Sequence, residues 1–136
     1  MEKLDEFSKR IYSLFDVLAL AKNNNYRCGA CSPYQIYYSY VGRHDQPDVY
    51  DKRPCLVIED FGNKVSVLKL TSTNKNTYKI KAIDDLSLNG DSYIRLDDEP
   101  YMVNKDWITM YVGELNETDI SCIDNYFLKK NNYEKI

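Results

Sequence analysis

The chain has 136 residues, room for one ordinary domain and too few for two. It contains no run near the about 20 apolar residues of a membrane span, and its acidic start, Met1 to Glu6, lacks the basic-then-apolar order of a signal peptide, so it reads as cytoplasmic. Charge divides by segment: residues 52–81 carry seven basic and two acidic side chains and residues 82–136 five and twelve, so a polyanion finds a basic middle but no long-range pull from a molecule of net charge −3.

Met1 to about Asn24 is predicted to be one helix. Leu4, Phe7, Ile11, Leu14, Leu18 and Ala21 recur three or four residues apart, and that stripe must rest on the strands that follow or on a second chain. Asn23 to Asn25 end the helix, because asparagine side chains compete for backbone hydrogen bonds. Cys28-Gly29-Ala30-Cys31 then forms a CxxC. With no export signal, the cysteines read as thiols in a reducing compartment. The pair supplies half of a zinc site or a redox couple, but the other candidate ligands, His44, Cys55 and Cys122, are scattered and no convincing βαβ unit starts at the pair. No metal and no cofactor is therefore assigned, and Cys55 and Cys122 read as small core residues.

The period changes at Tyr34. Gln35 to Val41, dense in tyrosine and β-branched residues, is a strand. Gly42 to Lys52 is polar, contains Pro47 and reads as a long loop. Pro54 to Glu59 is the second strand, Asp60 to Asn63 a turn, and Lys64 to Leu70 the third strand. Its alternation puts Val65, Val67 and Lys69 on one face and Ser66, Leu68 and Leu70 on the other. Thr71 to Asn76 is a polar loop before a fourth strand, Thr77 to Ile83, and Ser92 to Leu96 is a fifth. Short strands are expected around Met102 and from Thr109 to Tyr111, ended by Gly113. Asn116 or Thr118 caps a last helix whose apolar positions are Ile120, Ile123, Tyr126 and Phe127, with a loose end at Asn131-Asn132. Short strands without helical crossovers, flanked by two helices, give a mainly β fold: a small closed or half-open barrel at 33–136, preceded by a helix and connector at 1–32.

Along this chain stand, in order, Arg53-Pro54 leading a strand, Leu70-Thr71-Ser72 leaving the next, Gly90 to Ser92 before Tyr93-Ile94, and Val112-Gly113-Glu114-Leu115 before a helix. From Tyr34 to Phe127 the set resembles the MazF/PemK family of toxin endoribonucleases. The resemblance implies an SH3-like barrel, usually a homodimer. It implies an enzyme that cleaves single-stranded RNA (mRNA) without a metal, leaving a 2′,3′-cyclic phosphate and a 5′-hydroxyl. It also implies a cognate antitoxin whose extended tail covers the RNA groove. Carried over residue by residue, it makes Arg53 and Thr71 the catalytic pair.

The chemistry suits those residue types. Cleavage needs the ribose 2′-oxygen to attack phosphorus while charge grows on the phosphate oxygens. Arg53 offers a permanently charged fork of donors for that charge. Thr71, with Ser72 beside it, offers hydroxyl donors to a nonbridging oxygen or to the 2′-hydroxyl. His44 titrates near neutrality and is the candidate base. Lys52, Lys69, Lys75 and Lys79 are candidate phosphate contacts, and Tyr50 and Tyr78, with Tyr38 and Tyr40, are candidate stacking rings. Each residue has a plainer reading: Arg53 paired with Asp51 or Glu59, Thr71 and Ser72 as turn residues, His44 as a solvated loop histidine, the tyrosines as ordinary strand residues. The chain departs from the family pattern in its preceding helix, in Ser32-Pro33-Tyr34 where a glycine usually opens the first strand, and in the acidic run before Gly113. The alternative expectation is a catalytically inactive barrel serving as a binding module, a regulator or phage-borne inhibitor.

Overall fold

The computed structural model describes residues 11–43, 46, 48–71, 78–80, 92–97 and 99–134. The first ten residues, with Leu4 and Phe7, lie outside them. From Ile11 onward the expected single helix is corrected. Tyr12–Ser13 forms a short strand, β1, and the helix α1 spans Leu14–Lys22. Ser13 closes a capping box: its hydroxyl accepts from the Asp16 N–H at 3.1 Å, and the Asp16 carboxylate accepts from the Ser13 N–H at 3.0 Å. Because β1 is pinned to a neighbouring strand, it sets the rotation of α1, and the predicted stripe loses. Ile11, Leu14 and Leu18 are exposed, Phe15 is 83% exposed, and Val17 at 0% is the buried residue of the helix.

The strands that follow are β2 (Gln35–Gly42), β3 (Val49–Asp60), β4 (Lys64–Thr71), β5 (Tyr78–Ile80), β6 (Ser92–Ile94), β7 (Tyr101–Asn104) and β8 (Ile108–Glu114). A 3-10 turn at Lys105–Trp107 joins β7 to β8, and the helix α2 spans Glu117–Glu134. All the strand pairs are antiparallel, in the order β5-β6-β4-β3-β2-β8, with β1 added to β3 and β7 added to β4. β7 takes the Lys64 to Val67 half of β4, and β6 takes its Leu70-Thr71 end. Among the described residues no ladder joins β7 to β8, so the sheet curls but leaves the barrel open at that seam. No helix among the described residues is long and apolar enough to cross a membrane.

Several boundaries move, and the strand expected from Ser92 to Leu96 ends at Ile94. β3 begins at Val49, so the loop expected from Gly42 to Lys52 shrinks to the residues between Gly42 and Val49. Pairing with β2, which sets Gly42 opposite Tyr50 and Val41 opposite Asp51, overrides the polar composition of that stretch. β8 continues one residue past Gly113, and α2 runs through Asn131-Asn132 to Glu134. Its N-terminus is capped by Asn116, whose side-chain oxygen accepts from the Asp119 N–H at 2.8 Å.

Period-two alternation gives the sheet two apolar faces. On one, Tyr37, Val41, Cys55, Val57, Val65 and Val67 meet Val103 and Ile108. On the other, Ile36, Leu56, Leu68 and Leu70 meet Ile94, Val112 and Ile123 of α2. The alternation predicted for β4 is the observed one. Tyr12, Val17, Tyr40 and Tyr50 form a third cluster that seats α1 against Trp107. Cys55 is buried as expected, but Cys122 is exposed: it lies next to Ile123 on α2 and falls on the solvent side.

Candidate active site

The candidate site lies where the first apolar face runs out. Cys55 of β3 stands opposite Lys69 of β4 as the last pair of that ladder, and Arg53 and Thr71 each lie two residues beyond it. Both keep the parity of Cys55 and Lys69, so they share the face that carries Val57 and Val67. Thr71 is also the last residue of β4, paired with Tyr93 of β6. The two residues that the family resemblance matches are thus brought to one end of adjoining strands.

Asp51, two residues before Arg53 on that face, is the organiser of this end. Its side chain is 3% exposed. Arg43, at the exit of β2, grips it with a fork: Nε donates to Oδ2 at 2.9 Å and NH2 to Oδ1 at 3.0 Å. Arg53 donates to Oδ2 through Nε alone, at 3.2 Å, and its side chain stays 39% exposed. Burial pushes the Asp51 carboxyl upward. The bond from Arg43 and the charges of both arginines outweigh it and hold the group below the ordinary carboxylate value. Pairing of Arg53 with Asp51, the plainer reading of that arginine, is therefore present in the structure.

Lys69 completes the charged end. Its Nζ donates to the Gly42 carbonyl at 3.0 Å and sits 5.8 Å from the centre of the Tyr101 ring. A Cβ at Gly42 would stand 2.7 Å from the Tyr101 hydroxyl, so a larger residue there would have to displace that ring. Cys55 beneath the cluster has its thiol pushed up to about 12 by burial, against the opposing charges of Lys69 and Arg53. Two arginines thus share one buried carboxylate, and Lys69 holds the carbonyl of Gly42, the residue before Arg43.

The other candidates separate. Lys52 points to the opposite face from Arg53, as neighbours in a strand must. Its Nζ lies 5.9 Å from the Tyr40 ring centre, and burial lowers its pKa. Tyr50 is buried in the cluster under α1, edge-on to Trp107 at 5.8 Å between ring centroids. Its ring packs the core and is not a free stacking face. Tyr40 is likewise buried against Tyr12, and Tyr38 is half-buried beside the second core. His44, Ser72 and Lys75 lie outside the described residues, and Tyr78 and Lys79 are placed by backbone alone, as β5 residues opposite Ile94 and Tyr93. Among the described residues no three metal-ligating side chains converge.

Two members were missed in the sequence. Arg43 follows directly on Tyr40-Val41-Gly42, eight residues before Asp51, a spacing that becomes a contact only when the intervening chain folds back as a hairpin. Asp51 was weighed only as a partner for Arg53.

With this geometry in place, one comparison bears on the fold. The chain shares its fold with a solved endoribonuclease. The solved structure of an endoribonuclease in complex with its cognate antitoxin from Mycobacterial species is similar to it, with a TM-score of 0.54 and 19% identity, covering 70% of this chain and 88% of that one. No family model matches the chain, and no curated protein matches it.

Proposed function

We propose that this chain is a toxin endoribonuclease of the MazF/PemK type, cleaving single-stranded RNA without a metal and silenced by a cognate antitoxin. The observation that supports the reading is that Arg53 and Thr71 each lie two residues beyond Cys55 and Lys69, the last pair of the β3–β4 ladder, at one end of adjoining strands. The similar solved structure, an endoribonuclease with its cognate antitoxin, supports it through the shared fold.

In the proposed reaction the RNA 2′-oxygen attacks the adjacent phosphorus and the 5′-oxygen leaves, taking up a proton. Arg53 holds the nonbridging oxygens with its terminal amines, because its contact with Asp51 uses only Nε. That contact fixes the guanidinium before substrate arrives, so its charge meets the transition state without reorganisation. Thr71 orients the 2′-hydroxyl or donates to a phosphate oxygen, and His44, next to Arg43 in the chain, is the proposed base. Lys69 and Arg43 add positive charge for the flanking phosphates. The proposed assembly is a cytoplasmic homodimer.

The competing reading, an inactive binding module, draws on the same ion pair, since Asp51 already neutralises part of the charge a phosphate would need. Incubation of the purified protein with a long single-stranded RNA in a metal chelator separates the two. Discrete fragments ending in 2′,3′-cyclic phosphate, lost in Arg53→Ala and Thr71→Ala, support the enzyme. Intact RNA, with no slowing of growth on expression, leaves the binding module.

A further inference from the structure

The CxxC lies away from the charged end, on the connector between α1 and β2. Cys31 is buried in the first core, and Cys28 packs half-buried beside it. Their sulfurs stand 2.9 Å apart. Two thiols held closer than an ordinary sulfur contact need little movement to bond.

Everything around them fixes the connector in that pose. The Cys31 N–H donates to Asp60 Oδ2 at 2.7 Å. Lys105 Nζ pairs with the same carboxylate at 2.9 Å, and its charge also acts on both thiols. Asn24 Nδ2 ties the other end of the connector to the carbonyls of Asp106 and Ile108, at 3.1 and 2.8 Å. No third metal ligand joins the pair among the described residues. The two residues differ in burial: Cys28 is half-buried, whereas Cys31 is buried.

We propose that Cys28 and Cys31 are a reversible dithiol–disulfide site that reacts with low-molecular-weight disulfides, with Cys28 attacking and Cys31 resolving. The Cys28 thiolate attacks one sulfur of the small disulfide, forming a mixed disulfide and releasing one small thiolate, which takes up a proton. Cys31 then attacks the Cys28 sulfur, closing the intramolecular bond and expelling the second small thiol. The protein dithiol is oxidised by two electrons, and the small disulfide is reduced to two thiols. Burial, with the neighbouring Cys28 thiol, pushes the Cys31 thiol up to about 12, which suits a group that reacts only when its target is delivered beside it.

The test needs no RNA and stands apart from the proposed activity. The full-length protein is incubated with oxidised glutathione, free thiols are alkylated, and each cysteine is followed by peptide mass. The expected product is a peptide spanning residues 28–31 that is two hydrogens lighter and regains both thiols on reduction. Cys31→Ser, and Cys31→Ala should the serine variant unfold, is expected to stop at glutathione on Cys28. Exposed Cys122 is the built-in control for reagent. Glutathione on Cys122 with both connector cysteines still alkylated overturns the proposal. So does release of a metal ion on oxidation, which would make the pair a metal half-site. Wild-type-rate modification of Cys31 in Cys28→Ser would overturn the assigned order.

Discussion

β3 carries a carboxylate near each of its ends, and the two are held in different ways. Asp60 is matched to one ammonium, Lys105, and accepts backbone N–H groups from Cys31 and Gly62. Asp51 accepts from two arginines. At the Asp60 end charge is balanced and the acceptors tie down a connector and a turn. At the Asp51 end two arginines share one acid, close to the strand end that carries Thr71. A carboxylate held by one ammonium fastens the backbone around it; one shared by two arginines orients both guanidinium groups.

The sharpest break in that contrast is Arg53→Ala, which on the proposed chemistry lowers RNA cleavage by about 10²–10³-fold, the usual loss for one donor to a transition-state oxyanion. Fragment yield on a long RNA checks it, with circular dichroism confirming the fold. Next comes Asp51→Ala. It leaves two arginines without their shared acid and is expected to destabilise the fold by about 1–3 kcal/mol in urea unfolding, below the cost of a fully buried pair because both arginines reach solvent. No change in midpoint would mean the arginines are held by something else.

Acid titration then tests the fastening end. The Asp60 carboxyl is lowered to about 2, first by the Cys31 N–H and then by Lys105, against about 3.9 for an unfolded aspartate. Its contribution is full above the unfolded value and is lost as pH falls through the folded one. Asp60→Asn is therefore expected to be less stable than wild type at neutral pH and to lose less between about pH 4 and about pH 2. Unfolding midpoints across that window read the effect. The smallest expected change is in Lys69→Gln: if its cation meets a phosphate, the salt slope of RNA binding falls by about 0.7.

Much of this fold was legible in local pattern, and the failures share a cause. Lys64 to Leu70 alternates because apolar cores lie on both sides of the sheet, so its facing could be read directly. Val49 to Lys52 looked like loop because its composition is polar, yet β2 holds it in the ladder. Ile11, Leu14 and Leu18 fitted a helical stripe, but the two residues between Ile11 and Leu14 pair with β3 and turn the stripe outward. Arg53 and Thr71 were picked out through the ordered motifs, and each lies two residues beyond Cys55 and Lys69, the last pair of the β3–β4 ladder. Arg43 was not, because its meaning depends on a hairpin that composition conceals. Tyr50 was misplaced for the same reason, as a predicted loop ring that became a core ring.

The order of the strands also fixes when this molecule can finish folding. β2 and β3 are neighbours in sequence and can pair early, whereas the other edge of β2 waits for β8, with Ser39 meeting Ile108 and Gln35 meeting Glu114. Such a ladder raises contact order, and refolding is expected on the order of milliseconds to seconds. During synthesis, a nascent chain already carrying Arg53 and Thr71 still lacks the strand that completes its sheet, and lacks Ile123 to seal the second core. The charged end on β2 and β3 can thus form first, while the β8 edge and the second core close last.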